Sequence, residues 1–247
     1  MNSDPDFPAR IQSYIKYLPG YPAEYIDYLI NRGGLSNDSV TADIGAGAGI
    51  LAKMISPRVK RVLAVEPDEQ MRRAAGEYLK DTANVTITAG SAEATGLSDN
   101  SVDLITTGQA FHYFEFDAAL QEFKRILKPG GLTALVWHTR LTDYPFGEAL
   151  ENRLRHFCPD YTGGTDSEWP ARRFFKNGVF EHRTFSNHRY IDLETLIGYA
   201  LSMPFSPVKG DRLFPEFVEK LATLYDKYSD HGKLELRAAV DSYLGEI

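Results

Sequence analysis

Two acids and three glycines in the first third of the chain have the types and spacing to do chemistry. Residues 39–55 read SVTADIGAGAGILAKMI, with Asp43 just ahead of Gly45, Gly47 and Gly49; Glu66 follows Gly47 by nineteen positions. Glycines so spaced let a backbone turn sharply and approach a ligand closely, and a helix starting after them can satisfy an anion. A dinucleotide turn reads G-x-G-x-x-G/A. Counted from Gly45 that pattern fails at Ile50; counted from Gly47 it is met by Ala52, so glycine spacing alone leaves a dinucleotide open. A P-loop is excluded, because no Gly-Lys-Ser/Thr follows.

The acids shift the balance. A carboxylate at Asp43 would repel a pyrophosphate but could pair with an ammonium group. Glu66, in the run AVEP, stands where an acid meets ribose hydroxyls. One acid for a ribose, another for an ammonium and no phosphate clamp fit S-adenosyl-L-methionine.

The elements that must position these residues alternate. Val40–Ile44 reads as a strand, followed by a helix from about Gly49 to Ser56. RVLAVEP is a buried strand stopped by Pro67, and DEQMRRAAGEYL is a helix with Asp68 as its N-cap. NVTITAG and SVDLITTGQ are strands, DAALQEFKRILKPGG an amphipathic helix ended by Pro-Gly-Gly, and LTALVWH the next strand. Apolar strands joined by helices predict a doubly wound, mostly parallel sheet. Two helical segments precede it, around Ile11–Leu18 and Tyr25–Ile30 in numbering, divided by Pro19-Gly20. Beyond His138 the sequence predicts helices in PFGEALENRLRHF, LETLIGYALSM and PEFVEKLATLYDKYS, a connector or short helix in EWPARRFF, and a strand with its turn in VFEHRTFSNHRYID. The run GKLELRAAVDSYLGEI suits either period and is taken as a closing antiparallel edge strand.

The runs DIGAGAGI, AVEPDEQM, AGSAEATGLSDNSVDLITTGQAFHYF and EFKRILKPGG occur in that order. In them the chain resembles the class I S-adenosylmethionine-dependent methyltransferases, over roughly residues 14 to 138, and most of all the small-molecule group of trans-aconitate methyltransferase-like (methyltransferase type 11) proteins. The fourth-strand motif of that group, Gln-Ala-Phe-His-Trp-Phe, is matched here by Gln109-Ala110-Phe111-His112-Tyr113-Phe114. The resemblance implies an α/β, Rossmann-like fold with a seven-stranded sheet and an antiparallel closing strand. It also implies one domain over 1–247, with a helical lid at 1–36, a cofactor-binding core at 37–138 and substrate-side helices and closing strands at 139–247.

By position, the resemblance gives Gly45, Ala46, Gly47 and Gly49 to the methionine-side turn, with Asp43 beneath them. Glu66 takes the ribose hydroxyls, and Pro67 and Met71 line the adenine. Ala92 and Glu93 lie at its edge, and Gln109 and Ala110 flank the methyl-bearing sulfur. Bland alternatives stand beside some of these: Met71 as core, Glu93 as a surface acid. The segment YLPGYP falls over the donor as a lid, but Leu18 stands where relatives often carry arginine, which removes support for trans-aconitate as substrate.

His112 after the fourth strand and His138 at the end of the fifth lie at the carboxyl edge of the sheet, where ligands bind. Either can take a proton from an acceptor near neutral pH, and His112 has the rival role of shaping the loop. Phe146, Phe157, Trp169, Phe174, Met203 and Phe205 are candidate apolar walls for the acceptor, and Arg140 or Arg172 candidate anchors. No histidine pair or cysteine motif has metal-ligand spacing, so no metal is expected.

Composition narrows the partners. The net charge of −7 disfavours a broad nucleic-acid face, and TTGQAFHY lacks the Asn/Asp-Pro-Pro-Tyr of base methyltransferases. RRF at 172–174 is too short for a basic patch and reads as a solvated face. A single cysteine, Cys158, rules out an internal disulfide. With no membrane-length apolar run and no signal peptide in MNSDPDFPAR, a cytoplasmic location is the expectation. The expected function is methyl transfer from S-adenosyl-L-methionine, leaving S-adenosyl-L-homocysteine, to a small-molecule acceptor. The rival is a non-catalytic binding protein of the same fold. Neither acceptor nor oligomeric state is legible.

Overall fold

A computed structural model of the 247-residue chain describes residues 7–158, 161, 171–203 and 205–247. Two helices, α1 (Phe7–Tyr17) and α2 (Ala23–Arg32), precede the alternating core of β1 (Val40–Ile44), α3 (Ile50–Ile55), β2 (Arg61–Glu66), α4 (Glu69–Tyr78), β3 (Val85–Ala89), β4 (Val102–Gly108), α5 (Phe116–Ile126) and β5 (Leu127–Arg140). Then come α6 (Pro145–Phe157), α7 (Ala171–Phe174), β6 (Glu181–Ser186), β7 (Arg189–Ile191), α8 (Leu193–Leu201), α9 (Phe214–Tyr228), β8 (Leu234–Leu236) and β9 (Ala238–Gly245).

The predicted doubly wound sheet is present. Seven strands lie in the order β3-β2-β1-β4-β5-β9-β6, and β1 pairs in parallel with both β2 and β4. Alternate residues of β5 serve its two faces, as the pleat requires. Ala134 and Val136 join α2 and α3 in one core; Leu135 and Trp137 join α5 and α7 in the other. β9 is the antiparallel strand. The pairs Thr184–Asp241 and Asn187–Ala238 run in opposite directions against β6.

Several local expectations are corrected. The closing strand is not at the edge: β9 lies between β5 and β6, and β6 is the outer strand. Helix α5 stops at Ile126, before Pro-Gly-Gly, because a residue preceding proline avoids helical backbone; strand pairing begins at once with Leu127. VFEHRTFSNHRYID is two strands in two sheets, since β7 leaves β6 to pair with β8. Asp68 does cap α4, accepting from the N–H groups of Gln70 and Met71 at 2.9 Å.

The chain resolves into two compact units. The first comprises residues 1–19, 139–166 and 186–239; the second comprises 20–138, 167–185 and 240–247. The first has its own core, in which Phe146, Leu150 and Leu154 of α6 meet Leu196 of α8 and Phe217 and Leu221 of α9. The second contains the sheet and both of its cores. Among the described residues no helix is long and apolar enough to cross a membrane.

Candidate functional site

The sheet register sets the site out. Asp43 lies opposite Ala64 of β2 and Thr106 of β4, so the carboxyl ends of these strands bring Asp43, Glu66 and Gln109 to one edge. After Ile44 the chain doubles back: the N–H groups of Gly45 and Ala46 donate to the Val65 carbonyl at 2.9 and 3.1 Å. Gly45, Gly47 and Gly49 all have left-handed backbones, with φ of 69°, 55° and 82°. Their surroundings differ. A Cβ at Gly45 would come 2.6 Å from the Cβ of Ala110, and one at Gly49 would come 2.6 Å from Leu79. A Cβ at Gly47 would meet nothing within 4 Å. Two glycines therefore close the turn against its neighbours, and the third opens onto free space.

Both acids are held on the same edge. Asp43 is 2% exposed and accepts from the Thr106 hydroxyl at 2.8 Å. Burial pushes its carboxyl up to about 7; hydrogen bonds from Thr106 and the Ala52 N–H work against that shift, and the charge of Glu66 adds to it. Glu66 is 8% exposed and also raised by burial. Its Oε2 accepts from the Gly47 N–H at 2.8 Å and its Oε1 from the Asp68 N–H at 2.9 Å. A carboxylate offers about four lone-pair positions, so two stay available for hydroxyl donors. The acid is thus clamped between the glycine turn and the start of α4.

A stability prediction follows from Asp43. Its folded pKa lies above its ordinary value of 3.8, so the native state holds more protons than the unfolded state between about 4 and 7. Stability of the ligand-free protein therefore falls as pH rises through that window. Urea unfolding from pH 4 to 8 should show the wild type losing stability relative to Asp43→Asn. Parallel curves for the two proteins would refute the assignment.

The remaining sequence candidates fall around this edge or near it. Pro67 is exposed, Met71 half-buried and Ala92 buried. Glu93 turns to the protein itself, accepting from the Glu115 N–H at 2.9 Å where α5 begins. Partial burial works against its charge, but the Ser91 hydroxyl and that N–H hold its carboxyl below the usual range. Gln109 is left-handed at φ 59° despite its side chain, a conformation that strains an L-residue. Its N–H donates to the Val136 carbonyl at 2.9 Å. Ala110 is buried against Gly45. His112 is exposed overall, yet shielding of its ring holds its pKa below the ordinary histidine value. His138 lies under the ring of Tyr21, with centroids 4.6 Å apart.

The proposed acceptor walls are dispersed. Phe146, Phe157 and Met203 are buried in the core of the first unit, with Phe205 packed against it. Phe174 fills the other unit's core against Phe111 and Phe123. Trp169 lies outside the described residues. Arg172 is exposed, and Arg140 is partly buried among tyrosines. Among the described residues no group of His, Cys, Asp and Glu could hold a metal ion.

Comparison with known proteins decides the family. A family model described as a methyltransferase domain matches residues 42–135, the segment that builds this edge. An uncharacterized methyltransferase-like protein of Schizosaccharomyces pombe is 31% identical over 244 residues, covering 98% of this chain and 85% of that protein. The chain belongs to the class I S-adenosylmethionine-dependent methyltransferases. Another S. pombe methyltransferase is 35% identical over 149 residues, where the alignment covers 60% of this chain and 58% of that protein. The chain therefore spans somewhat over half of that relative's length. A solved structure described as a type II methyltransferase from Anaeromyxobacter dehalogenans superposes with a TM-score of 0.67 at 23% identity, covering 92% of this chain and 97% of that one, and shows the shared fold.

Three features of this methyltransferase's edge escaped the sequence reading. Thr106 is the side-chain partner of Asp43; its signal was its register opposite Asp43, one strand away. Tyr21 covers the end of β4, where any side chain at Gly108 would overlap its hydroxyl. The left-handed backbone of Gln109 has no residue-type signal, since glycine or asparagine is the usual occupant.

Proposed function

We propose that this methyltransferase carries a methyl group from S-adenosyl-L-methionine to a small-molecule acceptor by in-line displacement. The observation that carries the reading is the pair of buried acids flanking an open glycine turn, with the Gly47 position facing free space. Asp43, raised by burial, gains most from a cationic partner and so would take the donor's ammonium end. Glu66, already fixed by two N–H groups, would present its remaining lone pairs to the ribose hydroxyls. When bound, the donor supplies an already activated methyl on a sulfonium. The protein's work is alignment and exclusion of water. Gln109 and Ala110 would flank the sulfur, and the Tyr21 ring over His138 screens that end of the edge. A small acceptor rather than a nucleic acid is supported by the net charge of −7.

Calorimetric titration with S-adenosyl-L-homocysteine tests the donor site; absence of binding to the intact protein sinks the reading. A labelled-methyl screen over small acids, phenols and amines tests transfer. For an acceptor that must lose a proton, His138→Ala should lower turnover by ~10²-fold and change homocysteine-product affinity far less. Unchanged turnover on a true substrate would remove His138 as a base.

A further inference from the structure

Among the described residues, the first unit contains a guanidinium cluster with a single acid, Glu151, facing it. Arg140, the last residue of β5, has a side chain only 19% exposed. Its Nη1 donates to the Tyr199 hydroxyl at 3.3 Å and its Nη2 to the Tyr161 hydroxyl. The acid it faces is Glu151, at a loose 3.5 Å. Glu151 has other partners: the Tyr161 hydroxyl at 2.7 Å and Arg155 at 3.0 Å. Arg189, the first residue of β7, approaches the same Tyr199 with its guanidinium 5.8 Å from the ring centre. Its Nη2 donates to the Tyr17 carbonyl at 2.9 Å, and no acid among the described residues forms an ion pair with it. The Nε–H groups of Arg140 and Arg189 are both buried without a hydrogen-bond partner among the described residues. Among the described residues, two guanidinium groups thus share one carboxylate while Arg189 pairs with none, and Arg140 and Arg189 each keep a buried donor unused.

A guanidinium withdrawn from water needs counter-charge and satisfied donors. Two such groups on one tyrosine are a poor solution for an empty core and a good one for a ligand. We propose that this unit holds a binding site for a small molecule bearing a carboxylate, taken by Arg140 and Arg189 with the hydroxyls of Tyr161 and Tyr199 beside it. A planar two-oxygen anion matches the guanidinium fork. A phosphate dianion would sit less well beside the Glu151 carboxyl, which faces Arg140 and Arg155. The residues of this site all belong to the first unit, whereas Asp43, the glycine turn and Glu66 belong to the second.

The test is calorimetric titration of the whole chain, free of any methyl donor. Acetate, succinate, citrate and benzoate are compared at fixed ionic strength with inorganic phosphate, sulfate and neutral succinamide. At least one carboxylate should bind more tightly than about 1 mM and more tightly than phosphate or sulfate, and succinamide should not bind. Arg140→Gln and Arg189→Gln should each weaken that binding at least about tenfold with far-ultraviolet dichroism unchanged. Failure of all four carboxylates, equal binding of phosphate or sulfate, or wild-type binding by both variants overturns the proposal. If Arg140→Gln does not fold, Arg189→Gln, on a strand of the two-stranded sheet, decides alone. Titration with S-adenosyl-L-homocysteine in parallel keeps failure of the donor site distinct from failure of this one.

Discussion

Glu66→Ala should lower affinity for S-adenosyl-L-homocysteine by ~100-fold or more. The side chain is committed on both sides before any ligand arrives, with the Gly47 N–H on one oxygen and the Asp68 N–H on the other. If Glu66 takes the ribose as proposed, truncation would remove two charged hydrogen bonds, worth ~1.5–3 kcal/mol each, and it releases the glycine turn from α4. Glu66→Gln separates these effects. Its amide keeps one acceptor for the backbone, so the turn stays closer to its native shape while the negative charge is gone. Calorimetry should therefore rank wild type, Gln and Ala in falling affinity. An alanine variant that binds within a few-fold of wild type would show that the acid at the end of β2 does not hold the donor.

The glycine turn gives the second large effect, and it divides stability from binding. Gly45→Ala should destabilise the fold. A left-handed backbone costs an L-residue ~1–2 kcal/mol, and a Cβ set 2.6 Å from that of Ala110 adds overpacking of ~1–3 kcal/mol. Thermal unfolding should fall by roughly 5–15 °C for a chain of this size. Ala110→Gly in the same protein should recover the overpacking part and leave the backbone part. Gly47→Ala should behave differently. It meets nothing within 4 Å, so its stability cost is confined to ~1–2 kcal/mol of backbone strain, yet its methyl group enters the open space of the cradle. Homocysteine-product binding should drop steeply with only a small change in unfolding temperature. If Gly47→Ala binds normally, the space beside it is not where the ligand lies.

The cradle was legible because each part has its own signal. Glycines at 45, 47 and 49 match three positive φ values, and strict alternation of strand and helix put Asp43 and Glu66 on adjacent strand ends. Asp68 announced the start of α4 by residue type alone. The acceptor side was not legible, for a physical reason. Phe146, Phe157 and Phe174 are large and apolar, and sequence cannot tell a pocket wall from a core filler; the structure buries them in two separate cores. Pro19-Gly20 separates α1 from α2 in the sequence, but no local pattern shows that they fall in different compact units. Arg140 declares its charge in the sequence, but its buried surroundings depend on tyrosines 21 and 59 residues away, which no local pattern connects.

The place of β9 bears on how the chain is born. Protein synthesis delivers β1 to β5 in order, but the strand that lies beside β5 is made after every other strand of the sheet. Roughly a hundred residues separate the two, on the order of 5–20 s of translation at ~5–20 residues per second. Throughout that interval β5 offers an open edge to any passing strand, and β6 has no place to dock. The sheet cannot zip from its start to its finish. Its final closure waits for the last strand to leave the ribosome, and that wait is when a nascent chain of this design most needs a chaperone.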